Sequence, residues 1–332
     1  MTDVVTRRML LELGGAAAIG GAAALPRRAS AAEALSRPAR LVMNFSAGGV
    51  MDTVARLYAE RLRGLYAPQV IVENRPGAAA RIGIEVAKAA PSDGTTFLMT
   101  PETMMVIYPF IYTRTLRYDP QRDFIPVTGL SSTGFVWMVD ANHPARDFRE
   151  FIHWAKGRDE VPYASPAAGS TPHFLSVQMA KTLGLNLVHV PYREIAMAFA
   201  DLNGGRISAY MAVLGTGAEQ HRAGRMRALA VTMPQRVPTL PDVPSFGELG
   251  LPQMTAEEWY GIFLPAGTPQ PIVTALHGAI GRVGAMPEMR AALQRLEQYP
   301  VSSTPAEFAE RLRTERNRWE PVIRDSGYVV EE

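Results

Sequence analysis

The 332-residue chain contains no cysteine. That excludes a disulfide framework, a thiolate zinc site, an iron–sulfur cluster and a cysteine nucleophile. An excess of either charge is also missing, with 34 Lys and Arg against 32 Asp and Glu. The first 32 residues hold Arg7, Arg8, Arg27 and Arg28 but only Asp3 and Glu12, so beyond them the two signs balance. A balanced chain offers no basic patch, and neither a nucleic-acid partner nor an anionic membrane is expected. No later apolar run is long enough to cross a bilayer. The 6 histidines form neither a His-x3-His pair nor a His-Glu-x-x-His motif, and no Gly-x-Ser-x-Gly elbow is present. No metal and no cofactor are therefore expected.

What is present begins with an address. Arg7 and Arg8 precede a mild Leu/Gly/Ala stretch from Leu13 to Leu25, followed by Pro26, two arginines and small residues to Ala32. Residues 1–32 read as a signal peptide of the twin-arginine type, which predicts export to the periplasm.

The remaining chain alternates short apolar runs with segments of helical spacing. Strands are predicted at Arg40–Phe45, Val70–Glu73 and Thr96–Thr100. Helices are predicted at Asp52–Tyr66, with Asp52 as N-cap, and at Ile82–Ala89. A second run of the same kind starts near residue 132 and continues to Val231. After a proline-dense connector, Trp259–Leu264 reads as a strand and Pro271–Val283, Met289–Leu296 and Pro305–Arg324 as helices. This predicts an α/β chain of two lobes, each a mainly parallel sheet flanked by helices. The expected boundaries are 33–131 plus 265–332 for lobe 1 and 132–264 for lobe 2.

Two loops stand in equivalent places, between a strand and the helix after it. One is Phe45-Ser46-Ala47-Gly48-Gly49-Val50-Met51-Asp52. The other runs from Ser165 through Gly169, Ser170 and Thr171 to His173. Glycines and hydroxyls there let backbone N–H groups approach an anion at a helix start. Ligands of open α/β sheets bind at these carboxyl ends of strands. Neither loop has dinucleotide or P-loop spacing. Ser170 with His173 leaves a hydrolase reading open. Glu257 and Glu258 are adjacent, and on a strand they point to opposite faces, which makes a poor acid/base dyad.

Several segments carry a family likeness across most of the chain. They include Arg40-Leu-Val-Met-Asn-Phe-Ser-Ala-Gly-Gly, Val72-Glu-Asn-Arg-Pro-Gly-Ala, Ala90-Pro-Ser-Asp-Gly-Thr-Thr and Val188-His-Val-Pro-Tyr. Ala223-Gly-Arg-Met-Arg-Ala-Leu-Ala-Val-Thr and Pro265-Ala-Gly-Thr-Pro follow. In order and spacing the chain resembles the periplasmic receptors of tripartite tricarboxylate transporters, the Bordetella uptake gene family. The resemblance implies a Venus-flytrap binding protein of type II-like build, monomeric, which closes on a small organic acid and delivers it to inner-membrane permease subunits. It implies ligand contacts at Phe45, Ala47, Gly48, Gly49 and Asp52, at Glu102, Thr103 and Met104, at Ser165, Gly169, Ser170, Thr171 and His173, and at Tyr192, Arg193 and Ala212. Many members carry Asp where Ala212 stands and Asn where Val213 stands. With Met104 and Met105 these replacements imply a more apolar pocket, for an acid with an aromatic or aliphatic body. A ligand sensor acting on a membrane kinase is the alternative, and a periplasmic enzyme using Ser170 and His173 a further one.

Overall fold

The computed structural model describes residues 35–330 apart from residue 193. The expected signal peptide and Arg193 lie outside the described residues.

The chain opens with β1 (Ala39–Met43), α1 (Val50–Leu62), β2 (Val70–Asn74), α2 (Arg81–Lys88) and β3 (Thr96–Pro101). Two short helices, α3 (Glu102–Val106) and α4 (Tyr108–Ile111), precede β4 (Phe124–Thr133). The next run is β5 (Phe135–Asp140), α5 (Phe148–Lys156), β6 (Val161–Ala164), α6 (Thr171–Leu183) and β7 (Leu187–His189). It ends with α7 (Ile195–Asn203), β8 (Ala209–Val213), α8 (Leu214–Arg222) and β9 (Met226–Val231). The chain returns through β10 (Glu258–Pro265), α9 (Gln270–Ala285), α10 (Pro287–Arg295), β11 (Tyr299–Pro300) and α11 (Pro305–Ser326).

Two sheets result, with strand orders β11-β4-β10-β3-β1-β2 and β7-β6-β8-β5-β9. The α/β, two-lobed expectation matches this architecture, but the sheets are mixed rather than mainly parallel. Pairs β1–β2, β1–β3, β6–β7 and β6–β8 are parallel, as helical crossovers require. The strands at the passages between sheets, β4, β5 and β10, run antiparallel to their neighbours. β10 pairs with β3 and β4, so residues 258–264, expected in lobe 2, lie in the first sheet.

Burial explains the elements. In β1, Leu41, Val42 and Met43 are all buried, as expected of a strand covered on both faces. In α1, Val54, Ala55, Tyr58, Ala59 and Leu62 share one face and pack in a core with Ala275, Leu276, Ala279 and Val283 of α9. Asp52 is not the N-cap: Gly49 is, and Asp52 sits in the first turn. A second core runs through both sheets, joining Leu98 and Trp259 to Trp137, Phe148 and Phe174 beneath α11.

Between β4 and β5 lies Gly134, where a Cβ would come within 2.6 Å of the Met233 side chain. Phe135 N–H donates to Thr232 Oγ1 at 2.8 Å, Thr232 N–H to the Phe135 carbonyl at 2.9 Å, and Thr232 Oγ1 to the Ala256 carbonyl at 2.6 Å. These bonds tie the outgoing and returning passages together.

Candidate functional site

The loop after β1 is shaped by Asp52. Its carboxylate accepts from Gly48 N–H at 3.0 Å, from Arg56 Nε at 2.9 Å and from Asn74 Nδ2 at 3.0 Å. Asn74 Nδ2 also donates to the Phe45 carbonyl at 3.1 Å. Burial works to raise the Asp52 pKa, but the bonds from Arg56, Gly48 and Asn74 outweigh it and hold the group below its ordinary value. Asp52 thus clasps the loop with oxygens already committed, and Gly48 spends its N–H on that clasp.

After β3 the chain turns into α3 and α4, which bring Thr103, Met104, Tyr108, Ile111 and Tyr112 to one wall. The rings of Tyr108 and Tyr112 lie 4.7 Å apart. Tyr108 is anchored by a 3.0 Å bond from its hydroxyl to the Ala79 carbonyl. Ala79 belongs to a run of three alanines, Ala78, Ala79 and Ala80, with φ of 47°, 50° and 66°. Each carries the Cβ strain of the left-handed region.

In the second lobe the loop between β6 and α6 supplies Pro166 to Ser170. Gly169 has φ +74°, and a Cβ there would meet the Tyr328 ring at 2.9 Å. Its N–H donates to His173 Nδ1 at 3.0 Å, which fixes His173 as the Nε2–H tautomer. Burial, and then the neighbouring His189, lower the His173 pKa to about 3, while burial lowers His189 to about 4. Both rings are neutral near pH 7 and lie with their centroids 4.2 Å apart, tilted by 38°. Ser165 Oγ lies 2.9 Å from His189 Nε2, and Ser170 Oγ donates to the Ala167 carbonyl at 2.6 Å. Ser170 and His173 therefore do not form a nucleophile–base pair. His173 holds the loop from behind and does not line the cavity.

These loops border two cavities that share Phe45, Pro101 and Glu258. The first, of about 320 Å³, is walled by Phe45, Thr103, Met104, Tyr108, Ile111 and Tyr112 on one side. Phe135, Pro166 to Ser170, Pro172 and Val213 face them from the second lobe, and Tyr328 and Val330 close one end. The second, of about 430 Å³, is lined from the first lobe by Phe45, Ala47, Gly49, Val50, Asp52 and Tyr260 among others. A larger cavity of about 460 Å³ lies within the first lobe, between α9, α10 and β11, away from both loops.

Of the residues expected to touch ligand, the fold brings Phe45, Thr103, Met104, Gly169 and Ser170 to the first cavity, and Phe45, Ala47, Gly49 and Asp52 to the second. Glu102 turns inward instead. It is 1% exposed, and Thr171 Oγ1 donates to it at 2.8 Å from each oxygen, with Thr103 Oγ1 at 3.3 Å. Burial, with Glu315 and Glu258 nearby, raises its pKa well above the ordinary value. Thr171 is thereby committed to Glu102. The Tyr192 hydroxyl donates to Asp201 at 2.8 Å. Ala212 is buried in β8, and its neighbour Val213 reaches the cavity instead. Glu102, Thr171, His173, Ser165 and Ala212, expected among the ligand contacts, are buried, while Gly48 and Tyr192 are bonded to Asp52 and Asp201, and none of the seven borders either cavity.

Sequence reasoning missed Tyr108, Tyr112, Phe135, Tyr328 and Glu258. The aromatic run Tyr108-Pro109-Phe110-Ile111-Tyr112 was the available signal for the first two. Glu257 and Glu258 do point to opposite faces. Glu257 accepts from Arg311 at 3.1 Å, while Glu258 lines both cavities. Burial pushes the Glu258 pKa up to about 7. Among the described residues, no group of His, Asp and Glu is placed to hold a metal, and no helix is long and apolar enough to cross a membrane.

The family described as "Tripartite tricarboxylate transporter family receptor" matches residues 54–328. The chain belongs to this receptor family. A relative in Pseudomonas sp. (strain P51), the "UPF0065 protein in tcbD-tcbE intergenic region", is 33% identical over 290 residues, 87% of this chain and 86% of the relative. A periplasmic transporter of known structure shares 31% identity with a TM-score of 0.76, covering 89% of this chain and 99% of its own. An R. palustris protein solved with adipate shares 29% identity with a TM-score of 0.75, over 88% of this chain and 97% of its own. The receptor is thus a two-lobed solute-binding protein of this family.

Proposed function

We infer that the receptor captures an organic carboxylate with an aromatic or aliphatic body in the first cavity and presents it to the permease of a tripartite tricarboxylate transporter. The observation that carries this reading is the composition of that cavity. Its volume falls at the small end of the usual small-molecule range. Its walls come from both lobes and are built of Phe45, Met104, Tyr108, Tyr112, Phe135 and Val213. At its edge α6 starts without a side-chain cap on Ser170, and although Pro172 has no N–H to offer, the Thr171 N–H at the helix start remains for an anion. The relative solved with adipate supports an aliphatic acid as ligand class.

Because each lobe supplies part of the wall, a ligand there favours the closed arrangement over the open one. The rotating lobe in this reading is residues 134–256, with Gly134 and the Thr232–Ala256 bond at the pivot. Export by the twin-arginine route, a monomeric state and action by binding without turnover complete the proposal. A thermal-shift screen of the exported chain against adipate, benzoate, phthalate, hexanoate, citrate and acidic amino acids tests it. An acid at a hundred times its Kd adds about 2.7 kcal/mol of stability. Apolar acids are expected to shift the transition more than citrate or aspartate. Stabilisation by citrate alone would refute the apolar-pocket reading.

A further inference from the structure

Glu258 opens β10 at the point where both cavities meet, and its carboxyl accepts no hydrogen bond from any described residue. It is the one charged side chain lining the first cavity among the described residues, and neither cavity is lined by a described Lys or Arg. A receptor for an anion has thus placed a carboxyl, and no described cation, against its ligand.

Among the described residues, the groups around Glu258 give it no positive partner. From α3, Glu102 adds a second buried carboxyl, already closed by Thr171 and Thr103. On α11, Arg311 is bound to Glu257 at 3.1 Å and to Glu315 at 2.7 Å. Arg318 is committed to the carbonyls of Thr255 and Gln253, both at 2.8 Å. On β10 itself the nearest titratable group is the Tyr260 phenol. Across the second cavity stands Asp52, clasped by Arg56. Across the first stand the phenols of Tyr108, Tyr112 and Tyr328, with Arg81 stacked over Tyr112 at 4.2 Å. Opposite in the β4 register is Thr133, whose buried Oγ1 has no partner. An ionised Glu258 would face a ligand carboxylate as like charge, whereas a neutral one offers it an O–H donor.

We propose that Glu258 is the specificity-determining proton carrier of the cleft: its protonated carboxyl donates a hydrogen bond to a carboxylate oxygen of the ligand, so that ligand and one proton are taken up together. This rests on the carboxylate reading of the cavity. Above neutral pH the ionised Glu258 must first take a proton from solvent, and that proton stays on Glu258, shared with the ligand oxygen. The direction in which burial moves this group agrees with such a role.

The test is calorimetric titration of the wild-type chain and Glu258→Gln with the tightest of adipate, benzoate, phthalate and hexanoate. It is run from pH 6 to pH 9 in two buffers of different ionisation heat. The wild-type Kd is expected to rise toward tenfold per pH unit above about 7, with close to one proton taken up per ligand at pH 8.5. Glu258→Gln, whose amide donates without a proton, is expected to be flat with pH, to take up no proton and to bind more tightly than wild type at pH 9. The wild-type minus Glu258→Gln infrared difference spectrum of the ligand-free proteins at pH 6 should show a protonated-carboxyl band, since the buried Glu102 is common to both and cancels. If an acid binds with no proton uptake, if folded Glu258→Gln binds no acid, or if the carboxyl band is absent, the proposal is overturned while the carboxylate reading stands. If 1,6-diaminohexane binds and none of the acids does, both fall.

Discussion

Thr171→Val removes one hydroxyl and keeps the shape of the side chain. That hydroxyl is the main donor to Glu102, 2.8 Å from each carboxyl oxygen, and it joins α6 of the second lobe to α3 of the first. After the change Glu102 keeps only the 3.3 Å bond from Thr103, in a site 1% exposed. Leaving a buried acceptor unmade costs about 1–3 kcal/mol. The cost should grow with pH. Glu102 has a folded pKa above that of the unfolded chain, so its protonated form is the one the fold tolerates. The Thr171 bond favours the ionised form, and its loss is felt most once Glu102 ionises. Urea denaturation at pH 6 and pH 9 reads the effect as a lowered midpoint with an unchanged slope. Glu102→Gln with Thr171→Val forms a double-mutant cycle, with an expected coupling of about 1 kcal/mol or more. A penalty below about 0.5 kcal/mol, or strict additivity, would refute the claim that this bond latches the two lobes.

Other consequences follow from the same physics. Glu258 contributes stability that is complete below its unfolded value of 4.5 and is lost as pH rises through about 7. Glu258→Gln should therefore melt higher than wild type at pH 8.5, by about 1–3 kcal/mol after allowance for its solvent-facing side, and show no such gain at pH 5. His173, held at about 3, acts in the opposite sense: its contribution is present above pH 6.5 and lost as pH falls toward 3. His173→Gln should lose about 2–3 kcal/mol less than wild type between pH 8 and pH 4.5, measured by denaturant midpoints. Ala79, exposed and at φ 50°, should gain about 1 kcal/mol when replaced by glycine, read as a raised Tm. Gly169→Val should lower Tm and weaken acid binding together, because its Cβ would press on Tyr328 and its φ is left-handed.

The sequence disclosed the two strand-to-helix loops because glycine, serine and threonine at a helix start have few other uses. It disclosed most helices through their spacing. β4 escaped because Phe124–Thr133 carries Pro126, Gly129 and four hydroxyls, a composition that reads as a loop. It is a strand because β10 and β11 pair with it on both sides, an arrangement made by residues more than a hundred positions away. The mixed sheet direction escaped for the same reason. Glu102 and Thr171 were expected in the cleft through the family likeness, yet their sites are set by α11 and by the opposing lobe. Tyr328 closes the cavity from the far end of the chain, a contact that no local pattern encodes. Which of Glu257 and Glu258 faces the cleft is decided by the pairing of β10, where Glu258 sits opposite Thr133 and two register shifts follow.

The most direct test of the central claim fills the cavity without disturbing the fold. Ala168 lines the first cavity from an exposed loop, so Ala168→Trp can place a large ring there at little cost to folding. Calorimetric titration of the tightest acid at pH 6 should give one site per chain in wild type. It should show a loss of at least about a hundredfold, about 2.7 kcal/mol, in Ala168→Trp, with Tm unchanged. Equal affinity in the two proteins would place the ligand elsewhere and contradict capture between the lobes.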